Sequence, residues 1–256
     1  MGELLFYALR EKVKKVLTVI PSRLRSTRLP RKPLLKLNGK PMIQHVYEGA
    51  LQSKLTDKLI IATDSKEIAN CIKRFGGKFM LTSKKHKTGT DRVAEAAKKF
   101  PSHEIVLNIQ GDSPLVTGQI VDAIAKPLIK NPALQMTTLK SKIIDKQDLK
   151  NPSIVKLVTD KNNFALYFSR SPIPYNIKNR KVIYYRHRGL YGFRRSFLLK
   201  YTKMPQSFLE KAESLEQLRV LENGIKIFTI ETNVEAVDVN VREDIKIAEN
   251  LLKGRG

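Results

Sequence analysis

Five cations, Arg23, Arg25, Arg28, Arg31 and Lys32, crowd the segment Pro21-Ser-Arg-Leu-Arg-Ser-Thr-Arg-Leu-Pro-Arg-Lys-Pro33. A guanidinium fork can grip two phosphate oxygens, and an ammonium offers a point charge. Ser26 and Thr27 add hydroxyl donors, and the prolines lower the entropy cost of holding the loop around a ligand. The chemistry this suits is a polyphosphate cradle; the alternative is a solvated basic loop. It is not a P-loop, because GxxxxGK[ST] is absent, as is GxGxxG. A second element is Asn108-Ile-Gln-Gly-Asp112, a carboxylate after a glycine turn that can hold a hard cation or simply form the turn. Asp238, in Val237-Asp-Val-Asn240, supplies a second carboxylate if the fold brings the two turns together; it could equally cap the last helix.

Two further groups are less specific. In Arg186-His-Arg-Gly-Leu-Tyr191, strand alternation turns His187 away from Arg186 and Arg188. His, Arg and Tyr together suit an acidic-sugar site, although a lone strand histidine is commonly a packing residue. Glu213, Glu216 and Gln217 fall on one face if their segment is a single helix. Nucleophilic catalysis finds little support, since GxSxG, a catalytic cysteine pattern and HExxH are missing, and finger-spaced zinc ligands are missing too.

These residues need elements to position them, and the first half of the chain alternates regularly. Strands are predicted at 16–20, 58–63 (KLIIAT), KFMLT and 104–110. Helices are predicted at PMIQHVYEGALQS, at KEIANCIKRF with Asp64 or Ser65 as cap, and from Thr90 or Asp91 through Phe100. Alternation of this kind implies βαβ units in a mostly parallel sheet, with ligands outside the carboxyl ends of the strands. The cationic loop and Asp112 both follow predicted strands. Residues 133–195 read as a β-rich insert with turns instead of clear helices. Helices return at SFLLKY and KAESLEQLRVLEN, then the strand IKIFTIE and the helix VREDIKIAENLLK.

Composition sets the limits. The chain has 256 residues, enough for one large domain, and no apolar run long enough for a transmembrane helix. Its single cysteine, Cys71, excludes an intrachain disulfide and fits a reducing, cytoplasmic setting; its helical spacing makes it a core residue. The short apolar stretch Leu4–Leu9 lacks a cleavage signal and reads as an amphipathic helix or a weak membrane-surface contact. A formal charge of +24 leaves three readings open: a solvated lysine-rich surface, a nucleic-acid binder, or an enzyme with very anionic substrates. The lysines are dispersed and aromatics are only 7%, with no Trp, which disfavours a stacking platform for single strands.

The string PSRLRSTRLPRKPLLKLNGKPMIQHVYEGA resembles the N-terminal signature of the 3-deoxy-manno-octulosonate (Kdo) cytidylyltransferases. Further similarities follow in order: KTGTDRVAEAA, VLNIQGDSPLV, NFALYFSRSPIPY, RHRGLYGFR, ESLEQLRVLENGIKI and VDVNVREDI, together spanning roughly residues 16–247. The resemblance implies a nucleotide-diphospho-sugar transferase, Rossmann-like α/β fold. One domain would cover residues 14–256, after an extension at 1–13, and it would form a homodimer. It further implies CTP as co-substrate, Mg²⁺ as cofactor and a pathway feeding lipopolysaccharide. By that resemblance Arg23, Ser26, Arg28 and Lys32 meet the CTP phosphates or their surroundings, with Gly89 and Thr90 near the nucleotide. Arg23, Lys32 and Asp112 carry catalysis, and Asp112 and Asp238 hold the metal. Gln110, Arg170, His187, Tyr191, Glu216 and Gln217 line the sugar site. The chain departs from the pattern in three places: Arg31 replaces the glycine of RLPGKPL, Ser113 replaces the glutamate of QGDEP, and the glycine turn before Asp238 is missing. Its first fifteen residues and high lysine content are also atypical. Alternatives to Kdo as acceptor are an amino-substituted Kdo or a nonulosonic acid, and the rival from another class is a non-catalytic nucleic-acid binder.

Overall fold

A computed structural model describes residues 15–24, 29–178, 180–233, 238–239 and 241–254. Ser26 and Arg28, with Arg25 and Thr27, lie outside the described residues, as does the Leu4–Leu9 segment.

The first element among the described residues is β1 (Val16–Ser22), buried at all seven positions, and a 3-10 turn lies at Lys32–Leu34. The small hairpin β2 (Lys36–Leu37) and β3 (Lys40–Pro41) leads into α1 (Met42–Leu51). Next come β4 (Lys58–Thr63), α2 (Lys66–Arg74) and β5 (Phe79–Leu81). The Ser65 side chain caps α2 by accepting from the Ile68 N–H, one of the two caps expected. Helix α3 spans Gly89–Lys99 and is capped by Thr88 in a capping box with Asp91, so it starts before the expected Thr90 or Asp91. The helix needs a side-chain acceptor just before its first free N–H groups, and Thr88 reaches them. Strand β6 (Ile105–Asn108) and α4 (Gly118–Lys130) complete the first half.

The second half builds β7 (Met136–Lys142), a short α5 (Lys146–Lys150), β8 (Lys156–Thr159), β9 (Ala165–Ser169) and β10 (Tyr185–Arg194). Then follow α6 (Arg195–Tyr201), α7 (Phe208–Glu213), α8 (Leu218–Glu222), β11 (Ile227–Glu231) and α9 (Arg242–Lys253). The single helix expected at KAESLEQLRVLEN is two, because Ser214 turns left-handed at φ 52° and ends α7. Glu213 therefore does not share a helical face with Glu216 and Gln217. The last helix begins after Val241, whose N–H bonds the Asp244 carboxylate, so Asp238 is not its cap.

The main sheet runs β11-β7-β10-β6-β1-β4-β5, with β8 and β9 branching from β10. Strands β6, β1, β4 and β5 are parallel, as are β11 and β7, while β10 runs antiparallel between β6 and β7. Of the region expected to be β-rich, β7 and β10 thus belong to the central sheet, and β8 and β9 pack at its flank. Alternate strand residues feed two apolar layers. Ile20, Ile61 and Leu107 face α1, α2 and α4, with Cys71 in that layer, whereas Leu17, Val19 and Val106 face α3 and α6. A third, smaller cluster joins Leu29, Leu37, Met42, Val239 and Ala248.

Candidate active site

The strands β1, β4 and β6 all end at one edge, and the chemistry-bearing residues gather there. The chain leaves β1 at Ser22 with Arg23 exposed, and Leu29 is buried in the small cluster. Arg31 then adopts φ 57°, left-handed, and this bend turns Lys32 inward at the head of the 3-10 turn. A glycine tolerates that backbone without steric cost. Arg31 instead contacts Glu67 on α2 through an ion pair between exposed side chains, worth at most about 1 kcal/mol. Arg31→Gly is expected to leave stability unchanged or raise it by about 1 kcal/mol, because relief of a left-handed side chain is of that size. The urea midpoint checks this, and a clear drop would show that the Glu67 contact outweighs the backbone.

Strand β6 ends at the buried Asn108, and Gly111 follows in a tight approach to β1: a Cβ there would sit 3.0 Å from the Pro21 carbonyl. That closeness aims Asp112 at Lys32, whose Nζ donates to Asp112 Oδ2 at 2.6 Å. Asp238 arrives from the far end of the chain. Val239 is fully buried in the cluster of Leu29, Leu37, Met42 and Ala248, and its N–H donates to the Asp112 carbonyl at 2.9 Å. The Ser113 hydroxyl donates to Asp238 Oδ1 at 2.5 Å. Burial, and next the charge of Asp112, push the Asp238 carboxyl above the usual range, partly offset by Ser113, Arg188 and Arg186. Two carboxylates brought together in this way, with only oxygen donors, form the donor set a hard divalent cation takes.

Helix α3 presents its first turn to the same edge. Gly89 packs beside Pro21 and Gln110, where a Cβ would touch the proline ring at 3.4 Å. Thr90 is buried one residue deeper and accepts from Asn108 Nδ2 at 3.5 Å. Its hydroxyl also bonds the Glu216 carboxylate. Burial holds the Glu216 carboxyl above its ordinary range, opposed by Thr90 and by the charge of Arg219. Gln110, on the same edge, donates from Nε2 to Asn108 Oδ1 at 3.3 Å. Gln217 is 3% exposed, and its Nε2 has no hydrogen-bond partner among the described residues, which leaves a donor for a ligand.

Strand β10 carries His187 and Tyr191. Two extra residues, Gly189 and Leu190, bulge out between the pairs Arg188–Leu139 and Tyr191–Thr138. Two extra residues preserve the side-chain alternation, so both rings stay on one face, with centroids 5.4 Å apart. The Thr138 hydroxyl donates to the Leu190 carbonyl at 2.8 Å, which leaves it to accept from His187 Nε2 at 2.9 Å. Burial, and then the charge of Arg188, lower the His187 imidazole to about 3, while burial raises the Tyr191 hydroxyl. His187 is therefore neutral near pH 7, with Nδ1 the ring nitrogen left to accept. From about 6.5 down to about 3 the unfolded His187 binds a proton that the folded one does not, so stability falls with pH across that window. In His187→Gln the loss between pH 7.5 and pH 5 is expected to be smaller by up to about 1.4 kcal/mol per pH unit, read from urea midpoints.

Arg170 follows β9, and three of its N–H groups donate to the carbonyls of Glu213, Pro152 and Ser214 at 2.7, 2.8 and 3.5 Å. Its backbone N–H reaches the Glu213 carboxylate, which also accepts from Ser169. Arg170 thereby ties β9 to the turn bearing Glu216 and Gln217. Sequence reasoning missed Arg92, which is 3% exposed and pairs with Asp64 at 3.2 Å while donating to Thr82 and Ser83. It clamps the loops after β4 and β5. The signal was an arginine beside Val93 on the buried face of a helix.

A family model described as Cytidylyltransferase matches residues 17–227. Proteins named 3-deoxy-manno-octulosonate cytidylyltransferase are similar throughout. The one from Trichlorobacter lovleyi is 44% identical over 93% of this chain and 99% of its own length. The one from Fusobacterium nucleatum is 45% identical over 93% of this chain and 97% of its own. The structure of a CMP:2-keto-3-deoxy-manno-octonic acid synthetase complexed with CTP superposes with a TM-score of 0.90 at 40% identity, over 95% of this chain and 100% of that one. A cytidylyltransferase from Leptospira borgpetersenii shares the fold, with a TM-score of 0.63 at 17% identity over 94% of this chain and 87% of that one. On these similarities, the chain belongs to the 3-deoxy-manno-octulosonate cytidylyltransferase family of nucleotidyltransferases.

Proposed function

We propose that this enzyme transfers the cytidylyl group of CTP to the anomeric hydroxyl of Kdo or a close 3-deoxy acid, releasing pyrophosphate. The observation that carries the reading is the meeting of Asp112, Lys32 and Asp238 at the strand ends beside the cationic loop. The new bond joins the sugar oxygen to the α-phosphorus, and the bond to the bridging oxygen of pyrophosphate breaks in line. The reaction asks the protein for positioning and charge neutralisation more than for covalent chemistry.

The residues fit Mg²⁺: two carboxylates share one site, and burial, together with the charge of Asp112, raises the Asp238 carboxyl, a cost that a divalent cation offsets. When bound, Mg²⁺ supplies Lewis acidity at the α-phosphate and acidifies the attacking hydroxyl. Lys32, Arg23 and Arg28 neutralise the phosphate chain, and Ser26 offers it a hydroxyl donor. Gly89 and Thr90 close the nucleotide side. Gln110, His187, Tyr191, Glu216 and Gln217 orient the sugar, and Arg170 contributes by holding β9 to the turn that bears Glu216 and Gln217. Neutral His187 accepts a hydrogen bond from a sugar hydroxyl at Nδ1, and Gln217 Nε2 donates one. The test is pyrophosphate release with Mg²⁺, CTP or UTP, and a panel of Kdo, amino-Kdo and nonulosonic acids. Release with CTP and Kdo is the expected result, and silence across the panel would overturn the reading. A nucleic-acid binder driven by charge has no use for paired aspartates.

We further propose a homodimer. Ile144, Leu166, Tyr175, Ile177 and Ile183 expose apolar side chains between 55 and 87% along the β7–β10 region, and a second copy is the occupant expected to cover them. Tyr175→Asp with Ile177→Asp is expected to shift the mass measured by light scattering from two chains to one. No helix among the described residues is long and apolar enough to cross a membrane.

A further inference from the structure

Ser113 follows Asp112 directly and is 3% exposed. Its N–H bonds the Gln110 carbonyl at 3.3 Å, and its own carbonyl accepts from Val116 at 3.1 Å, so the turn holds it at both ends. Its hydroxyl carries one proton, given to Asp238 Oδ1 at 2.5 Å. The backbone at Asp238 is fixed separately, through the buried Val239 and its bond to the Asp112 carbonyl. That bond sets where the residue sits but not how its carboxylate is turned, because an aspartate rotates about two side-chain bonds. Repulsion from Asp112 favours rotation away, and Arg188 and Arg186 attract the group from the β10 side. A charge-assisted hydroxyl bond is strong enough to select one orientation among these.

We propose that Ser113 is a positioning residue for the metal centre: by engaging Oδ1 of Asp238 it presents Oδ2 toward the cation shared with Asp112. The inference rests on the proposed pairing of Asp112 and Asp238 around a divalent ion. Partners of metal ligands of this kind typically change metal affinity ~10–100-fold when removed. The assay is Mn²⁺ binding, followed by electron paramagnetic resonance in the presence of CTP and without sugar, alongside the Mg²⁺ concentration giving half-maximal velocity. Ser113→Ala is expected to raise both constants about tenfold while leaving the KM for Kdo within about twofold. Ser113→Thr, which keeps the hydroxyl, is expected to restore both. Unchanged Mn²⁺ affinity in Ser113→Ala overturns the inference, as does an equal loss in Ser113→Thr when its melting temperature matches the wild type. Asp238→Asn separates the two layers. If it loses Mn²⁺ while Ser113→Ala does not, the pairing stands and the role of Ser113 fails. If both bind as the wild type does, the pairing itself is wrong.

Discussion

Asp112→Asn should lower turnover by two to four orders of magnitude while leaving the fold intact. The substitution keeps the size of the side chain and the turn after Gly111, so packing has little reason to change. It removes the full charge that faces Lys32 at 2.6 Å and one of the two carboxylates at the proposed metal centre. Charge stabilisation by a bound divalent ion amounts to several kcal/mol in a transition state, and each ~1.4 kcal/mol is tenfold in rate. Pyrophosphate release under saturating CTP and sugar measures the loss, and an unchanged melting curve locates it in chemistry. Near-wild-type release from the variant would remove Asp112 from the mechanism.

The second large effect belongs to stability. Glu210 and Arg219 are 5 and 7% exposed and form a two-pronged pair, with Nε to Oε2 at 2.7 Å and Nη2 to Oε1 at 2.5 Å. Arg219 also donates to the Met204 carbonyl and lies over the Tyr201 ring. The pair joins α7 to α8 across the turn that carries Glu216 and Gln217. Glu210→Ala would leave a buried guanidinium without its carboxylate, which costs ~3–5 kcal/mol. For a chain of this size the melting temperature should fall by roughly 10 °C. The KM for the sugar should rise as the turn loosens. The double variant Glu210→Met with Arg219→Met should recover part of the lost stability, since no guanidinium is left buried without its carboxylate, while Glu216 loses the positive charge that opposed its burial. If Glu210→Ala melts within about 2 °C of the wild type, the pair contributes little and the turn is held by packing alone.

What could be read before folding followed local rules. KLIIAT is β4 to the residue, because an apolar run bounded by turn residues leaves little else to form. Ser65 caps α2, and Cys71 is in the core, for equally local reasons. Errors arose where the outcome depends on distant contacts. Nothing in KAESLEQLRVLEN announces a left-handed Ser214, since no glycine or asparagine marks the break. That β10 would run antiparallel between β6 and β7 follows from pairings between strands far apart in the chain, which periodicity does not encode. The loop after β1 and Asp112 were legible as strand-end residues. Their approach to Asp238 was not, because it depends on Val239 entering a pocket built from Leu29, Leu37, Met42 and Ala248.

That anchorage bears on the order in which the protein becomes competent. A ribosome delivers Lys32 and Asp112 early, and both apolar layers can begin to close around the growing sheet. Asp238 emerges only after β11, and its neighbour is locked down by a helix translated later still. A nascent chain can thus be largely folded and yet inert until α9 has been made and Val239 is seated.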